Sequence, residues 1–302
     1  MSDIQVFPSI ENIPKSFKGI LLDAYGVFWG GNNFGAIPGS KEAMHRLVKS
    51  GKVVGILSNS TQLAGKEIDK IAKQGFILEE HFHFLVTSGE IARHIFSLEK
   101  LPFKTPRKKF WLFGGVHPKF SSHHTIFEAS PYIETTDLSE ADFIYISIPH
   151  LNGEDQTDPD FFREEVAKLK KKGLPMVCAN PDRFAHEGTP PRAVVRQGSI
   201  AALYEELGGE VYYIGKPSEI AYFYAMEKFI QHHITDVADV LMVGDTPETD
   251  IRGARKLGMT ACLVTETGIM ADRIEKNGFE NAVQTLSNFD CPNYFIKRLG
   301  AI

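Results

Sequence analysis

Cysteine is scarce in this chain: three among 302 residues, at positions 178, 262 and 291. An odd number so widely spaced argues against a disulfide framework and offers no paired thiolates for a metal. Cys178 and Cys262 lie inside apolar runs and are read as core packing. Excess positive charge is lacking too. With a net charge of −5 and scattered basic residues, the chain carries no electrostatic footprint for nucleic acid. No apolar stretch approaches membrane-spanning length, and Met1 to Val6 lacks the charged and apolar regions of a secretory signal. The expectation is a soluble cytoplasmic protein with no nucleic-acid or membrane partner. A small anionic ligand would then need a local cationic pocket.

What is present is an ample hydrophobic fraction, 43%, enough for a sizeable core and two domains. The chain is organised around Lys18 to Gly31. Gly19 to Leu22 is a short apolar run of the kind that becomes a buried strand; Asp23 closes it, and Gly26 lets the backbone turn. In an open α/β sheet, ligands sit beyond the carboxyl ends of the strands, so a residue closing such a run is aimed at the crevice.

Further along, glycines and the pair Asn32-Asn33 predict a loop or small flap over Phe28 to Gly39. Ser40 offers an N-cap for a helix ending at Gly51, Lys52 to Leu57 is a strand run, and Ser58-Asn59-Ser60-Thr61 ends it. A helix over 65–74, a strand over 84–87 and a helix over 88–99 follow. This alternation is the signature of a parallel sheet with right-handed crossovers. Two prolines and the cluster Arg107-Lys108-Lys109 interrupt it, suggesting a domain hinge over 101–109. The basic cluster reads as solvated linker, and Lys170-Lys171-Lys172 as charge offsetting a helix C-terminus.

From Phe110 a smaller α/β unit is predicted, with strands over 110–113, 143–148 and 175–179, the last leading into a loop at Asn180-Pro181-Asp182. Helices are expected over 160–172 and 198–207. A strand over 210–214 leads into Gly215-Lys216-Pro217-Ser218. Then come a helix over 220–230, a core strand over 240–243, Gly244-Asp245 with Asp250, a helix over 251–257, a strand over 261–264 and a tail helix. The histidines at 81/83, 117/123/124 and 232/233 show no zinc-like spacing with a third ligand.

Four strand ends thus carry polar groups: Asp23, Ser58, Lys216 and the pair Asp245/Asp250. Each meets one need of phosphoryl transfer. A carboxylate can attack phosphorus and hold the group as an acyl phosphate. Hydroxyl and backbone N–H groups at a strand-to-helix turn can cradle phosphoryl oxygens. An ammonium can pair with both nucleophile and transferring group. Two carboxylates about 4 Å apart repel by roughly 4 kcal/mol at an effective dielectric near 20, so gathering three of them requires a cation. Oxygen-only ligation favours Mg²⁺.

This order of segments resembles the haloacid dehalogenase (HAD) superfamily. Its four motifs are matched by Asp23-Ala-Tyr-Gly-Val27, Ser58-Asn-Ser-Thr61, Lys216, and Gly244-Asp245 with Asp250. Asp23 and Ser58 are 35 positions apart, whereas 158 separate Ser58 from Lys216. The long interval is where the superfamily's C2 cap is inserted. Ile37-Pro-Gly39, Ser58-Asn59, Asn180-Pro-Asp182, Ile214 to Ser218 and Gly244 to Ala254 are similar to the NagD-like, class IIA members. The resemblance covers nearly the whole chain. It implies a doubly wound parallel-sheet, Rossmann-like core over 1–100 and 209–302 with a smaller α/β C2 cap over 101–208.

It also implies roles. Asp23 would be nucleophile and Mg²⁺ ligand, with the Tyr25 backbone carbonyl, Asp245 and Asp250 as further ligands. Ser58, Asn59 and Ser60 would hold phosphate, Lys216 would neutralise the acyl phosphate, and Asn180 and Asp182 would face the substrate or simply form a turn. A small phosphorylated metabolite is the implied substrate, and a homodimer is left open.

One position departs from the family. Most of its phosphatases carry a second Asp two residues after the nucleophile, as acid and then base; here that residue is Tyr25. Such assistance is worth about 10²- to 10⁴-fold, and a phenol with pKa about 10 is a poor base at neutral pH. Three readings follow: a hydrolase favouring phosphates with good leaving groups, a phosphate-binding or regulatory protein of low turnover, or a 2-haloacid dehalogenase, whose family members share Asp-x-Tyr-Gly. The Asp245/Asp250 pair and the cap position count against the last.

Overall fold

Short runs of branched and aromatic residues closed by polar ones become the strands that the sequence predicts. The computed structural model describes residues 5–31, 34–118, 122–187 and 192–301. Its strands are β1 Val6–Phe7, β2 Gly19–Leu22, β3 Val53–Ser58, β4 Phe84–Thr87, β5 Lys109–Phe113, β6 Ile133–Glu134, β7 Phe143–Ile146, β8 Met176–Cys178, β9 Phe184–Glu187, β10 Arg192–Val195, β11 Val211–Tyr213, β12 Val240–Gly244, β13 Thr260–Val264 and β14 Tyr294–Ile296. The helices are α1 Ser40–Lys49, α2 Ala64–Ala72, α3 Ser88–Ser97, α4 Ser122–Phe127, α5 Arg163–Lys170, α6 Gln197–Glu206, α7 Glu219–Gln231, α8 Arg252–Lys256, α9 Gly268–Asn277 and α10 Phe279–Gln284. Among the described residues, no helix is long and apolar enough to cross a membrane.

The chain divides into two compact units, one of residues 1–58, 64–86 and 216–302, the other of 59–63 and 87–215. The first is built on a sheet of order β1-β14-β13-β12-β2-β3-β4. Every pair from β1 to β3 is parallel. Leu21, Leu22, Val243 and Val264 are fully buried in it, as are Phe28 and Phe76, whose rings meet edge to face at 4.8 Å. Strands buried on both faces are what continuous apolar runs such as Gly19–Leu22 demand.

The second unit holds a parallel sheet of order β11-β8-β7-β5-β6 and the antiparallel pair β9–β10. It changes over with the first at Thr87 and Lys216 rather than at 101 and 209. Helix α3 accounts for the first difference, since its fully buried Phe96 stacks on Phe127 at 4.4 Å and on Phe143 at 6.0 Å. Strand pairing accounts for the other. The strand expected over 210–214 is β11, and it joins β8 rather than the larger sheet. Lys216 therefore enters the first unit on a loop, not at a strand end of that unit's own sheet.

Other expectations are corrected locally. Gly39, not Ser40, caps α1, and the Ser40 hydroxyl donates to the carbonyls of Phe28 at 2.9 Å and Ile37 at 2.6 Å. The helix expected over 160–172 opens as a 3₁₀ turn at Pro159–Phe162, and that over 251–257 follows a π-turn at Pro247–Ile251. The pairs β1–β14 and β9–β10 were not foreseen. The flap after Asp23 is tied by bonds from Gly30 N–H to the Gly35 carbonyl at 2.8 Å and from Gly35 N–H to that of Gly31 at 2.9 Å. Asn32 and Asn33 lie outside the described residues, as do Met1 to Ile4. In the basic cluster, Lys108 pairs with Glu99 at 2.8 Å and Lys109, which opens β5, with Glu140 at 2.6 Å, so the cluster lies within the second unit rather than in a hinge between units. Cys178 and Cys262 are buried, and burial pushes both thiols above their ordinary range.

The anchoring of α3 gives a prediction. Phe96→Ala should destabilise the protein by about 3–5 kcal/mol, the usual cost of emptying a buried aromatic site. Denaturant unfolding measures it, and a loss below about 1 kcal/mol would mean that α3 is not held this way.

Candidate active site

Strand order decides which loops meet. With β12 directly beside β2, the residues that close these two strands become neighbours although they are far apart in the chain. Asp23 leaves β2 with its N–H bonded to the Val243 carbonyl at 2.9 Å. Asp245 follows β12 directly. Asp250 lies one turn further on, in the π-turn, and each of the three carboxylates has an oxygen within 4.8 Å of the others. Asp245 and Asp250 are 3% and 1% exposed.

Each carboxylate is oriented by its surroundings. Asp245 Oδ1 accepts from the Thr246 hydroxyl at 2.8 Å and Oδ2 from the N–H of Ile269, at the start of α9, at 2.8 Å. The N–H groups of Asp245 and Thr246 both donate to Asp250 Oδ2, at 3.1 and 3.0 Å. That leaves Asp250 Oδ1 without a well-aligned hydrogen bond, 2.8 Å from Lys216 Nζ. Lys216 also donates to Asp23 Oδ1. Gly26 completes the enclosure: its φ of +77° is left-handed, and a Cβ there would collide with Asp245 Oδ2.

The charges do not balance. Burial disfavours the Lys216 ammonium, but Asp23 and Asp250 outweigh it and hold its pKa above the ordinary lysine range. For Asp245, burial and then the charges of Asp23 and Asp250 raise the carboxyl well above the usual range, against the pull of the Ile269 N–H and the Thr246 hydroxyl. With all three ionised, the carboxylates against one ammonium leave a deficit of two positive charges in a low-dielectric site. An oxygen-only donor set with that deficit fits a hard divalent cation, for which Mg²⁺ is the natural choice.

A second group, His45 with Glu80 and His81, also gathers potential ligand atoms within 4.8 Å, a third ligand that spacing along the chain did not reveal. Its chemistry opposes a metal. His81 Nδ1 accepts from the Ile77 N–H at 3.1 Å, so in the neutral ring Nε2 carries the proton and offers no lone pair.

The remaining sequence-predicted residues are divided between the two units. Ser58 closes β3, the strand beside β2. In the second unit Asn59, Asn180 and Asp182 come together: Asn59 Nδ2 donates to Asp182 Oδ1 at 2.8 Å, and Asp182 N–H to Asn180 Oδ1 at 2.9 Å. The latter is an Asx-turn, the turn chemistry expected of Asn-Pro-Asp. Ser60 Oγ accepts from the Gln62 N–H at 3.2 Å, and the Ser88 hydroxyl donates to the Asn59 carbonyl at 2.8 Å. The Tyr25 ring is packed against the core, edge-on to Trp29 at 6.4 Å. Sequence reading misses Thr246, although it stands within the Gly244 to Ala254 segment, and the Ile269 N–H, which no side chain announces.

The chain is similar to known proteins along most of its length. Residues 20–120 match the family model of haloacid dehalogenase-like hydrolases, and residues 213–288 match a HAD-hydrolase-like model. The chain is 27% identical to human chronophin over 273 residues, 86% of this chain and 85% of that protein. It is 22% identical to the ribonucleotide monophosphatase NagD of Escherichia coli strain K12, over 87% of this chain and 94% of that one. A crystal structure of a haloacid dehalogenase-like hydrolase from Brucella suis superposes with a TM-score of 0.77 at 21% identity, covering 97% of this chain and 99% of that one.

The electrostatics predict a cation response with a definite pH dependence. A carboxyl whose folded pKa is raised binds its proton more tightly when folded. Cation-free stability should therefore fall as pH rises from about 3.9 through the raised Asp245 value. Mg²⁺ at about 100 times its Kd should add about 2.7 kcal/mol, with a larger melting shift at pH 8 than at pH 5. Asp245→Asn should melt no lower than wild type in EDTA yet lose the Mg²⁺ response. An undiminished response in that variant would refute the assignment. Gly26→Ala should likewise abolish the response, through its collision with Asp245.

Proposed function

Because the chain belongs to the haloacid dehalogenase-like hydrolases, we propose that it is a Mg²⁺-dependent phosphohydrolase of the NagD-like class acting through an aspartyl phosphate. The observation that carries this is the convergence of Asp23, Asp245 and Asp250 on one point with Lys216 alongside. Asp23 would be the nucleophile. Its carboxylate oxygen forms a bond to phosphorus while the bond from phosphorus to the leaving oxygen breaks. Lys216 Nζ, already paired with Asp23, would hold the nucleophile ionised and then offset the charge of the acyl phosphate. Ser58, with Asn59 and Ser60 after it, would receive phosphoryl oxygens.

Asp23, Asp245, Asp250 and the Tyr25 carbonyl would hold the cation, which when bound supplies charge neutralisation at the transferring phosphoryl group. The first unit then corresponds to the core and the second to the C2 cap, with the substrate a small phosphorylated molecule in the cytoplasm.

Tyr25 sets the leaving-group preference. Its ring packs edge-on to Trp29, and a phenol is in general too weak a base to replace a carboxylate at neutral pH. Acyl or anhydride phosphates, whose leaving groups depart without a proton, are the favoured substrates. Steady-state hydrolysis tests this: kcat/KM for acetyl phosphate should exceed that for glycerol phosphate by about 10²-fold or more. A preference for the alkyl ester would contradict it. Tyr25→Asp should raise alkyl-ester turnover toward ordinary family behaviour. No gain, with Mg²⁺ binding retained, would leave the low-turnover, phosphate-binding reading in place.

A further inference from the structure

Behind the carboxylates lies a tyrosine that no motif singles out. Tyr222 is fully buried on α7, six residues after Lys216. Its hydroxyl is shared between two backbone carbonyls of the π-turn, that of Thr249 at 3.1 Å and that of Asp250 at 2.8 Å. The ring reaches them because residue 253 is glycine: a Cβ there would collide with the ring edge. The Thr249 carbonyl also accepts from the Arg252 N–H, so the phenol adds a donor from outside the turn to the turn's own bonds. One phenol thus ties the segment that carries Lys216 to the turn that carries Asp250.

We propose that Tyr222 is a positioning residue that fixes Asp250 at the spacing a small divalent cation requires, and so sets the selectivity of the site for Mg²⁺ over Ca²⁺. This rests on the cation site described above. Mg²⁺ demands near-ideal octahedral geometry at about 2.0–2.1 Å, whereas Ca²⁺ accepts flexible ligands at about 2.3–2.6 Å. Loosening the turn penalises the smaller ion first. Tyr222 touches neither substrate nor ion; it acts through the backbone of Asp250.

The test is calorimetric titration of the full-length protein with MgCl₂ and, separately, CaCl₂, for wild type, Tyr222→Phe and Gly253→Ala. Tyr222→Phe keeps the ring and removes only the hydroxyl. Its Mg²⁺ Kd should rise about 10-fold or more, as for other supporting partners of metal ligands, with Ca²⁺ much less affected. Gly253→Ala keeps the hydroxyl but displaces the ring, and should shift the selectivity in the same direction. Unchanged affinities in Tyr222→Phe, or equal weakening of both ions with a lowered melting temperature, would overturn the proposal by reducing the tyrosine to a structural part. Wild type binding neither ion would overturn the cation site together with it.

Discussion

Three clustered carboxylates, two of them buried, opposed by one buried ammonium are the constraint from which the rest of the first unit follows. Like charges at such separations cost several kcal/mol unless something offsets them. The protein offsets them in part: Lys216 takes one oxygen each of Asp23 and Asp250, while N–H and hydroxyl donors take those of Asp245 and the other oxygen of Asp250. The remainder is a charge deficit aimed at a single point. A fold retains so costly a cluster when a ligand restores the balance, and strongly perturbed groups concentrate where chemistry is done.

The sheet makes this cluster possible. Only when β12 lies beside β2 do Asp23 and Asp245 meet, and both strands are apolar throughout so that they can sit buried at the sheet centre. The π-turn then brings Asp250 back toward Asp245, whose own N–H it binds. Packing, strand order and electrostatics thus specify the same arrangement, the consistency expected of a sequence that encodes one structure.

Much of this could be read along the chain, and the reasons are local. Gly19–Leu22 and Val240–Gly244 are continuous apolar runs with an acid directly after them, which marks both a buried parallel strand and its active end. Strands β1 and β14 could not be found, since runs of two and three residues acquire their identity only by pairing, β1 with β14 across nearly the whole chain and β14 also with β13. Lys216 is recognisable, but a boundary at 209 leaves the strand before it on the core side, because an apolar pattern does not say which neighbour a strand will choose. Ser40 resembled a cap, yet its hydroxyl found carbonyls instead. Tyr222 gave no signal because an aromatic on a helix usually means core, and here a single hydroxyl makes it more than that.

Tyr25 is where local pattern and family expectation part, and the structure explains how the site accommodates it: the ring is absorbed by the hydrophobic surface beside Trp29. The central claim is that Asp23 is the atom acceptor of the phosphoryl group, and acid-quenched mass spectrometry after mixing the protein with acetyl phosphate and Mg²⁺ tests it most directly. One phosphoryl group should be found on the peptide containing Asp23 and should be absent in Asp23→Asn. Labelling elsewhere, or labelling that survives that substitution, would contradict the account.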